Sequence, residues 1–290
     1  MRGRLLGIKL ALGAIFIYGT GWWLAPCFAG RHVPSAIWLK IGSIELYWYG
    51  LLIAVAVLVG IGLVRWLNQR FLRLNPDAVF YITVAAVFSA FIGARLLFVI
   101  LEWPFYAKHL AEIWQIHSGG LSIHGALLGG LLAVIIGSRL ARLNSWHLAD
   151  LLAVALPLGQ AIGRFGNFFN QEAFGGPTDL PWKMYVAPEF RPVGLEQFSF
   201  FHPAFLYEAV GDLIIFWLLW RLFTSRSSRP AGTVTLWYLL LYSGWRWCVE
   251  WFRIDSQQWG WLTLAQWGSL LIIIVAGWLL FYRYRLWKSR

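Results

Sequence analysis

Long apolar stretches alternate with short polar segments along the whole chain. A hydrocarbon core of about 30 Å requires roughly 17 to 25 helical residues. We therefore place eight candidate transmembrane segments near 5–25, 47–64, 78–100, 120–138, 148–163, 204–222, 233–251 and 262–281. The fifth is short and contains Pro157, Gly159 and Gly163, so we expect it to be bent or to pack against neighbouring helices. The pattern predicts an all-α, polytopic integral membrane helix bundle with about seven to eight transmembrane helices.

Composition agrees with this pattern, because only 13% of the residues are charged and 59% are hydrophobic. This hydrophobic fraction is larger than one soluble core would use. The net charge of +11 raises the possibility of nucleic acid binding. However, 15 of the 24 Lys and Arg lie on alternate short loops and tails, as expected for cytoplasmic segments. These are Arg2, Arg4, Lys9, Arg65, Arg70, Arg73, Arg139, Arg142, Arg221, Arg226, Arg229, Arg283, Arg285, Lys288 and Arg290. We therefore expect both termini in the cytoplasm and no nucleic acid partner.

Residues 1–30 have a basic start, an apolar middle and small residues at their end. They fit either a cleaved signal peptide or an uncleaved anchor. The long apolar region, followed by Trp22 and Trp23, favours the anchor. The remainder, 31–290, is expected to form one transmembrane domain, with a small periplasmic insert at about 171–203. The six histidines show no metal-like spacing, so we expect no metal and no cofactor.

Polar residues at membrane depth are the candidates for chemistry, since burying a charge in a bilayer is costly unless it is paired or faces a cavity. The densest group is "GRFGNFFNQEAFG" at residues 163–175. All the candidates fall at the ends of the segments that we expect to face outward. They are Tyr49, Arg95, His124, Arg164, Asn167, Glu172, His202, Tyr207, Glu208, Arg246 and Glu250.

Each of these features also has a structural interpretation. Arg246 and Glu250 share a helix face and fit a simple salt bridge. The segment 163–175 fits a helix cap followed by a turn, and His124 fits a packed histidine. Taken together, arginines near the outer leaflet suit the phosphate of a phospholipid, while histidine and carboxylates offer a general base. A transporter or lipid flippase is the alternative class; an intramembrane protease is disfavoured because no serine motif is present.

The segment 163–175 is similar to the signature of bacterial prolipoprotein diacylglyceryl transferases, Gly-Arg-x-Gly-Asn-Phe-x-Asn-x-Glu-x-x-Gly, and every fixed position matches. The resemblance covers roughly 40–282. Its other motifs follow in order as "WYGLL" at 48–52, "GGLSIHG" at 119–125, "HPAFLYE" at 202–208, "GWRWCVEWFR" at 244–253 and "LTLAQWGSL" at 262–270.

The resemblance implies the first step of bacterial lipoprotein maturation. In that reaction, the diacylglyceryl group of phosphatidylglycerol passes to the lipobox cysteine of a preprolipoprotein signal peptide, forming a thioether and releasing glycerol phosphate. It implies a multi-pass protein of the bacterial cytoplasmic (inner) membrane, surrounded by membrane lipids, with its active site on the periplasmic side.

The resemblance also implies roles for individual residues. The important positions of the family fall on Tyr49, His124, Arg164, Asn167, Glu172, Gly175, Arg246 and Glu250. Among these we assign catalysis to His124, Arg246, Glu250 and Tyr49, with His124 the leading candidate for the base and Glu250 either orienting Arg246 or sharing the handling of the proton. We assign phosphatidylglycerol binding to Arg164, Asn167, Glu172, Gly175 and Arg246. His202, Tyr207, Glu208 and Arg95 are secondary candidates.

Overall fold

The computed structural model describes residues 24–115, 119–225 and 228–288, and this part of the chain is mostly helical. Its long helices are numbered in chain order. They are α1 (Trp48–Leu67), α2 (Pro76–Leu101), α3 (Ile123–Leu140), α4 (Ser145–Phe169), α5 (Ala204–Thr224), α6 (Thr233–Val249) and α7 (Leu264–Lys288). The segment predicted at 5–25 lies outside the described residues except for its last two positions, which belong to a helical turn at 24–28.

Five of these helices are long and apolar enough to cross a membrane: Trp48–Leu72, which extends α1 by a π-helical turn, and then α2, α3, α4 and α7. They confirm five of the predicted spans. The sixth and seventh predicted spans are helical as α5 and α6, but they do not meet the same criterion. Helix α5 carries Glu208, Asp212 and Arg221, and α6 has only 17 residues. The protein is thus a multi-pass helical membrane protein, and five spans are assigned.

Helix boundaries follow local capping chemistry. The side chain of Asn75 accepts hydrogen bonds from the backbone N–H groups of Asp77 and Ala78, both at 3.1 Å, and Pro76 occupies the first helical position of α2. Helix α4 is longer than the predicted span, because it runs through Pro157 and past Gly163 to Phe169. The first part of the polar signature is therefore helical and not a loop.

The chain forms two compact units. The first comprises, among the described residues, 24–53, 161–211 and 244–270. It contains the starts of α1, α5 and α7 and the ends of α4 and α6. Its buried core is aromatic and is built by Cys27, Phe168, Phe174, Met184, Val186, Phe201 and Phe205.

Three short antiparallel strand pairs also belong to this unit, and the all-α prediction did not include them. They are β1 (Ile37–Ile41) with β2 (Ile44–Tyr47), β3 (Met184–Tyr185) with β4 (Phe200–Phe201), and β5 (Gln258–Trp259) with β6 (Leu262–Thr263). The second pair closes the insert after α4, where Met184 pairs with Phe201 and Tyr185 with Phe200.

The second unit comprises the described parts of 54–160, 212–243 and 271–290. Helices α2 and α3 pack here through small residues. A Cβ at Gly129 would collide with the carbonyl oxygen of Ser89, and one at Gly125 would lie only 2.8 Å from Cβ of Leu97. Such close backbone approach is typical of membrane helix pairs. Elsewhere in this unit, the buried carboxylate of Asp150 accepts a 2.8 Å hydrogen bond from the backbone N–H of Thr235 in α6.

Candidate active site

A buried carboxylate, Glu208, is the centre of the polar network in the first unit. It lies in α5, and only 3% of its surface is exposed. It forms ion pairs with three guanidinium groups, those of Arg164, Arg246 and Arg253. The distance from Oε1 is 2.9 Å to Nη1 of Arg253 and 3.4 Å to Nη1 of Arg246. Since a buried carboxylate without partners is strongly unfavourable, these contacts explain how Glu208 stays buried.

The predicted pair of Arg246 and Glu250 is confirmed, with Nη2 of Arg246 lying 2.5 Å from Oε2 of Glu250. The other oxygen of Glu250 accepts a 2.8 Å hydrogen bond from the hydroxyl of Thr263, just before α7. Both carboxylate oxygens are thus engaged. Because Arg246 also contacts Glu208, the pair is part of a larger network and not an isolated salt bridge.

Arg253 and Asp255 were missed by the sequence interpretation. Asp255 accepts two hydrogen bonds from Arg253, from Nε at 3.0 Å and from Nη2 at 2.6 Å. Burial favours a raised pKa for Asp255, but the bonds from Arg253 and its charge outweigh burial and hold this pKa below its usual value. Burial likewise opposes ionisation of Arg253, yet Asp255 and Glu208 together raise the pKa of the guanidinium. The sequence offered a weak signal, because positions 246, 250 and 253 would share one face if the helix continued. The helix instead ends at Val249, and Arg253 is extended.

The signature segment places two side-chain amides on one carboxylate. Asn167 lies in the last turn of α4, and its Nδ2 donates to Oε1 of Glu172 at 2.9 Å. Nδ2 of Asn170 donates to the same oxygen at 3.2 Å. The backbone N–H of Glu172 donates to the carbonyl of Asn167 at 2.9 Å. The backbone therefore ends the helix, as the capping interpretation proposed, while the side chains organise Glu172 beside it.

Two glycines of the signature allow close packing. A Cβ at Gly166 would lie only 3.0 Å from Cγ of Tyr49, so the ring of Tyr49 at the start of α1 rests directly on α4. A Cβ at Gly175 would lie 2.9 Å from Cβ of His202, and the N–H of Gly175 donates to the carbonyl of His202 at 2.8 Å. Gly175 also forms an isolated β-bridge with Arg253. The signature loop is thereby joined to the segment that precedes α5 and to the segment that follows α6, and these two segments carry His202 and Arg253.

His202 and Tyr207 form a hydrogen-bonded chain with Trp182. The indole Nε1 of Trp182 donates to the hydroxyl of Tyr207 at 2.9 Å, and that hydroxyl lies 3.1 Å from Nδ1 of His202. Because an indole N–H only donates, Tyr207 can direct its own hydrogen to His202, which suits a neutral imidazole. Burial lowers the pKa of His202, which favours the same neutral form.

The two remaining candidates belong to the second unit. His124 is exposed and is the second residue of α3. Arg95 in α2 is buried, and its donors are used by backbone carbonyls, those of Ile113 at 2.8 Å and Gly119 at 2.9 Å among them. Arg95 thus holds the segment that precedes α3. This geometry gives Arg95 a structural function and leaves the role of His124 as a prediction.

These features define a multi-pass helical membrane protein with a network of arginines and carboxylates in its first unit, on α4, α5 and α6 and on the segment after α6. A family model described as "Prolipoprotein diacylglyceryl transferase" matches residues 36–282. The chain therefore belongs to the prolipoprotein diacylglyceryl transferase family and is a transferase, which confirms the resemblance of its sequence motifs.

Individual relatives agree with this assignment. The chain is similar to three proteins named phosphatidylglycerol–prolipoprotein diacylglyceryl transferase. The relative from Thermosynechococcus vestitus is 45% identical over 88% of this chain and 95% of its own length. The one from Synechocystis sp. is 44% identical over 86% and 89%, respectively, and the one from Fervidobacterium nodosum is 39% identical over 97% of both chains.

Proposed function

We propose that this protein transfers the diacylglyceryl group of phosphatidylglycerol to the lipobox cysteine of preprolipoproteins. The cysteine sulfur attacks the glyceryl carbon that carries the phosphate ester. A C–S bond forms, the C–O bond breaks, and its electron pair leaves with glycerol phosphate. The thiol proton passes to a base, and the product is a thioether.

The observation that carries this proposal is the convergence of three guanidinium groups on Glu208. The side chains of Arg164 and Arg246 are 22% and 20% exposed, whereas that of Arg253 is 13% exposed. Arg164 and Arg246 are therefore the two that a phosphate can reach more easily. A guanidinium presents several N–H groups in a planar fork, so each can keep its contact with Glu208 and still donate to a phosphate oxygen.

These arginines would act mainly on the departing phosphate. Negative charge develops there as the C–O bond breaks, and donors fixed in advance stabilise that charge without reorganisation. One such donor contributes roughly 3 to 4 kcal/mol in known oxyanion sites. Glu208 and Arg253 would hold the two reactive arginines in place and do not themselves need to contact the lipid.

Proton removal is assigned separately. Since both oxygens of Glu250 already have partners, Glu250 is better suited to orienting Arg246 than to accepting a proton. A thiolate near arginines has a lowered pKa, so a weak base is sufficient. His124 remains the candidate base, on the strength of the family resemblance. Tyr49, Asn167 and Glu172 are proposed to position the lipid head group.

We further propose the bacterial inner membrane as the location, with the network at the periplasmic face. Basic residues support this orientation. Arg65, Arg139, Arg221 and Arg285 lie in the last turns of α1, α3, α5 and α7, whereas Tyr49 is the second residue of α1 and Glu208 is the fifth residue of α5. By the positive-inside rule, the basic ends face the cytoplasm.

The test uses the purified full-length protein in phosphatidylglycerol nanodiscs with a lipobox peptide. We expect a peptide whose mass has increased by one diacylglyceryl group. Alkaline hydrolysis should remove its acyl chains but leave the thioether bond to the glyceryl group intact. A peptide with serine in place of the cysteine is the control and should remain unmodified. Movement of phospholipid across liposomes without any modified peptide would instead support the flippase alternative.

A further inference from the structure

A cleft of about 510 Å³ opens in the first unit beside the signature segment. Its walls are the signature loop 170–174, Phe190 and Pro192 of the insert, Ala36, and the pair Ile254 and Asp255. Volumes of 300 to 1,000 Å³ are typical of ligand sites, which commonly combine apolar walls with a few polar groups. This cleft has that composition, and among its lining residues only Glu172 has been given a role above.

Gln171 supplies a polar group that the protein leaves unused. It lines the cleft and is only 3% exposed. Its side-chain oxygen accepts a 2.7 Å hydrogen bond from the N–H of Ala187, which fixes the orientation of the amide. The amide nitrogen, Nε2, is buried and has no acceptor within the described part of the chain. A buried donor without an acceptor is costly, so a ligand that offers a carbonyl oxygen here would gain a hydrogen bond at a prepared position.

The cleft is linked to the arginine network by direct contacts. Asp255 in its wall accepts hydrogen bonds from Arg253, and Arg253 in turn contacts Glu208. On the other side, Glu172 in the wall accepts from Asn167 in α4. A molecule in the cleft would therefore lie next to side chains that are bonded to the arginine network and to Asn167 of the signature.

Charge selects among the possible occupants. Two carboxylates, those of Glu172 and Asp255, line the cleft, and they oppose the binding of a phosphate group. An extended peptide suits the lining better. Its N–H groups can donate to the carboxylates, its carbonyls can accept from Gln171, and its side chains can pack on Phe190, Pro192 and Ile254.

We propose that this cleft binds the backbone of the preprolipoprotein next to the lipobox cysteine, with Gln171 as a hydrogen-bond donor to a peptide carbonyl. This inference rests on the proposed function, because it assigns a place to one of the two substrates of that reaction. It makes Gln171 a peptide-binding residue, separate from the arginines that act on the lipid.

Two variants test the cleft. Gln171→Glu keeps an oxygen for the N–H of Ala187, removes the amide donor and adds a carboxylate to the cleft beside Glu172 and Asp255. Ala36→Trp fills the cleft from a lining residue that takes part in no ion pair. Val193→Trp is the matched control, since Val193 lies in the insert, is 97% exposed and is not part of the lining. Each variant is compared with the wild type for the KM of a lipobox peptide, the KM of phosphatidylglycerol and kcat.

We expect about a tenfold higher peptide KM for Gln171→Glu, as loss of one buried hydrogen bond implies, and a rise of about the same size for Ala36→Trp, whose side chain takes up the space of the peptide. The kcat and the lipid KM should be unchanged in both. Val193→Trp should match the wild type. Unchanged peptide KM in both cleft variants, a rise in the lipid KM alone, or equal losses in every parameter would each overturn the inference while the proposed function stands.

A binding measurement separates this inference from the proposed function. A fluorescent lipobox peptide with serine in place of cysteine should bind the wild-type protein in nanodiscs, and binding should weaken about tenfold in Gln171→Glu. If the wild type forms no thioether product, the proposed function fails, and this binding measurement alone then decides about the cleft. Equal peptide affinity in wild type and Gln171→Glu would overturn the peptide site.

Discussion

Glu208 shows how one residue can determine the arrangement of several others. Arg164, Arg246 and Arg253 come from different segments of the first unit, and each contacts this carboxylate. Without it, three guanidinium groups would repel one another in a poorly hydrated environment. Glu208 was only a secondary candidate in the sequence. In the structure, the arginines that we propose to bind phosphate are arranged around it.

Glu208→Gln tests this arrangement. The amide keeps the size of the side chain but removes the charge, and breaking a buried ion pair in this way costs about 3 to 5 kcal/mol. We expect a lower melting temperature in detergent and loss of most transferase activity. Glu189→Gln, which changes an exposed carboxylate of the insert, is the control and should leave both unchanged. A Glu208→Gln protein with wild-type stability and activity would contradict the role given to this residue.

His202 provides a prediction about pH. Because burial lowers its pKa in the folded protein below the usual value near 6.5, the unfolded chain binds more protons between these two values. Stability is therefore fully present above about pH 6.5 and decreases as the pH falls towards the folded-state pKa. When melting temperatures are measured between about pH 5 and 8, they should decrease with falling pH less steeply for His202→Gln than for the wild type. Identical slopes for the two proteins would refute the lowered pKa of His202. His32→Gln, which changes an exposed histidine, is the control and should have the slope of the wild type.

Among the helices, the packing of α2 against α3 depends on where glycines lie. Adjacent positions in α3 differ sharply. A Cβ at Gly129 would collide with the backbone of Ser89, whereas one at Gly130 would meet nothing closer than the carbonyl oxygen of Ala86 at 3.6 Å. One glycine is thus required by the neighbouring helix, and the next is not.

We expect Gly129→Ala to destabilise the protein by about 1 to 3 kcal/mol, as overpacking does. Gly130→Ala should be neutral or should stabilise it by up to about 1 kcal/mol, because alanine favours the helix over glycine. Thermal unfolding of the two variants in the same detergent checks this difference. Equal melting temperatures would show that the helices can separate without cost.

Helix α4 illustrates what sequence patterns resolve poorly. The predicted span ended at Gly163 because the polar residues that follow are typical of a loop. The helix instead continues to Phe169, since Phe168 packs into the aromatic core of the first unit and supports the extra turns. This extension places Arg164 and Asn167 on a helix, where their directions are fixed.

Across the described chain, the apolar pattern predicted the helices better than the contacts between them. Five spans and the pair of Arg246 with Glu250 were predicted, because both follow from local periodicity. The strand pair of Met184–Tyr185 with Phe200–Phe201 was not predicted, since each strand is only two residues long and depends on its partner. The contacts of Arg253 and Asp255 also escaped prediction, because they form after α6 has ended.

The proposed orientation in the membrane makes a prediction for the intact cell. Cysteines are introduced at Val193 in the insert and at Gln69 beyond α1, both exposed, in a protein in which Cys27 and Cys248 have been replaced by alanine. A maleimide that cannot cross membranes should label Val193→Cys in spheroplasts, and Gln69→Cys only after permeabilisation. The reverse pattern would place the arginine network at the cytoplasmic face.

The tight environment of Gly175 affects how an inactive variant at this position should be understood. Its N–H bonds to His202, and any side chain here would press against His202 and the backbone of Phe252. A bulkier residue would therefore push apart the segments that carry Glu172 and Arg253. An inactive variant would then show that the positions of these segments have changed. It would not by itself prove that Gly175 contacts a substrate.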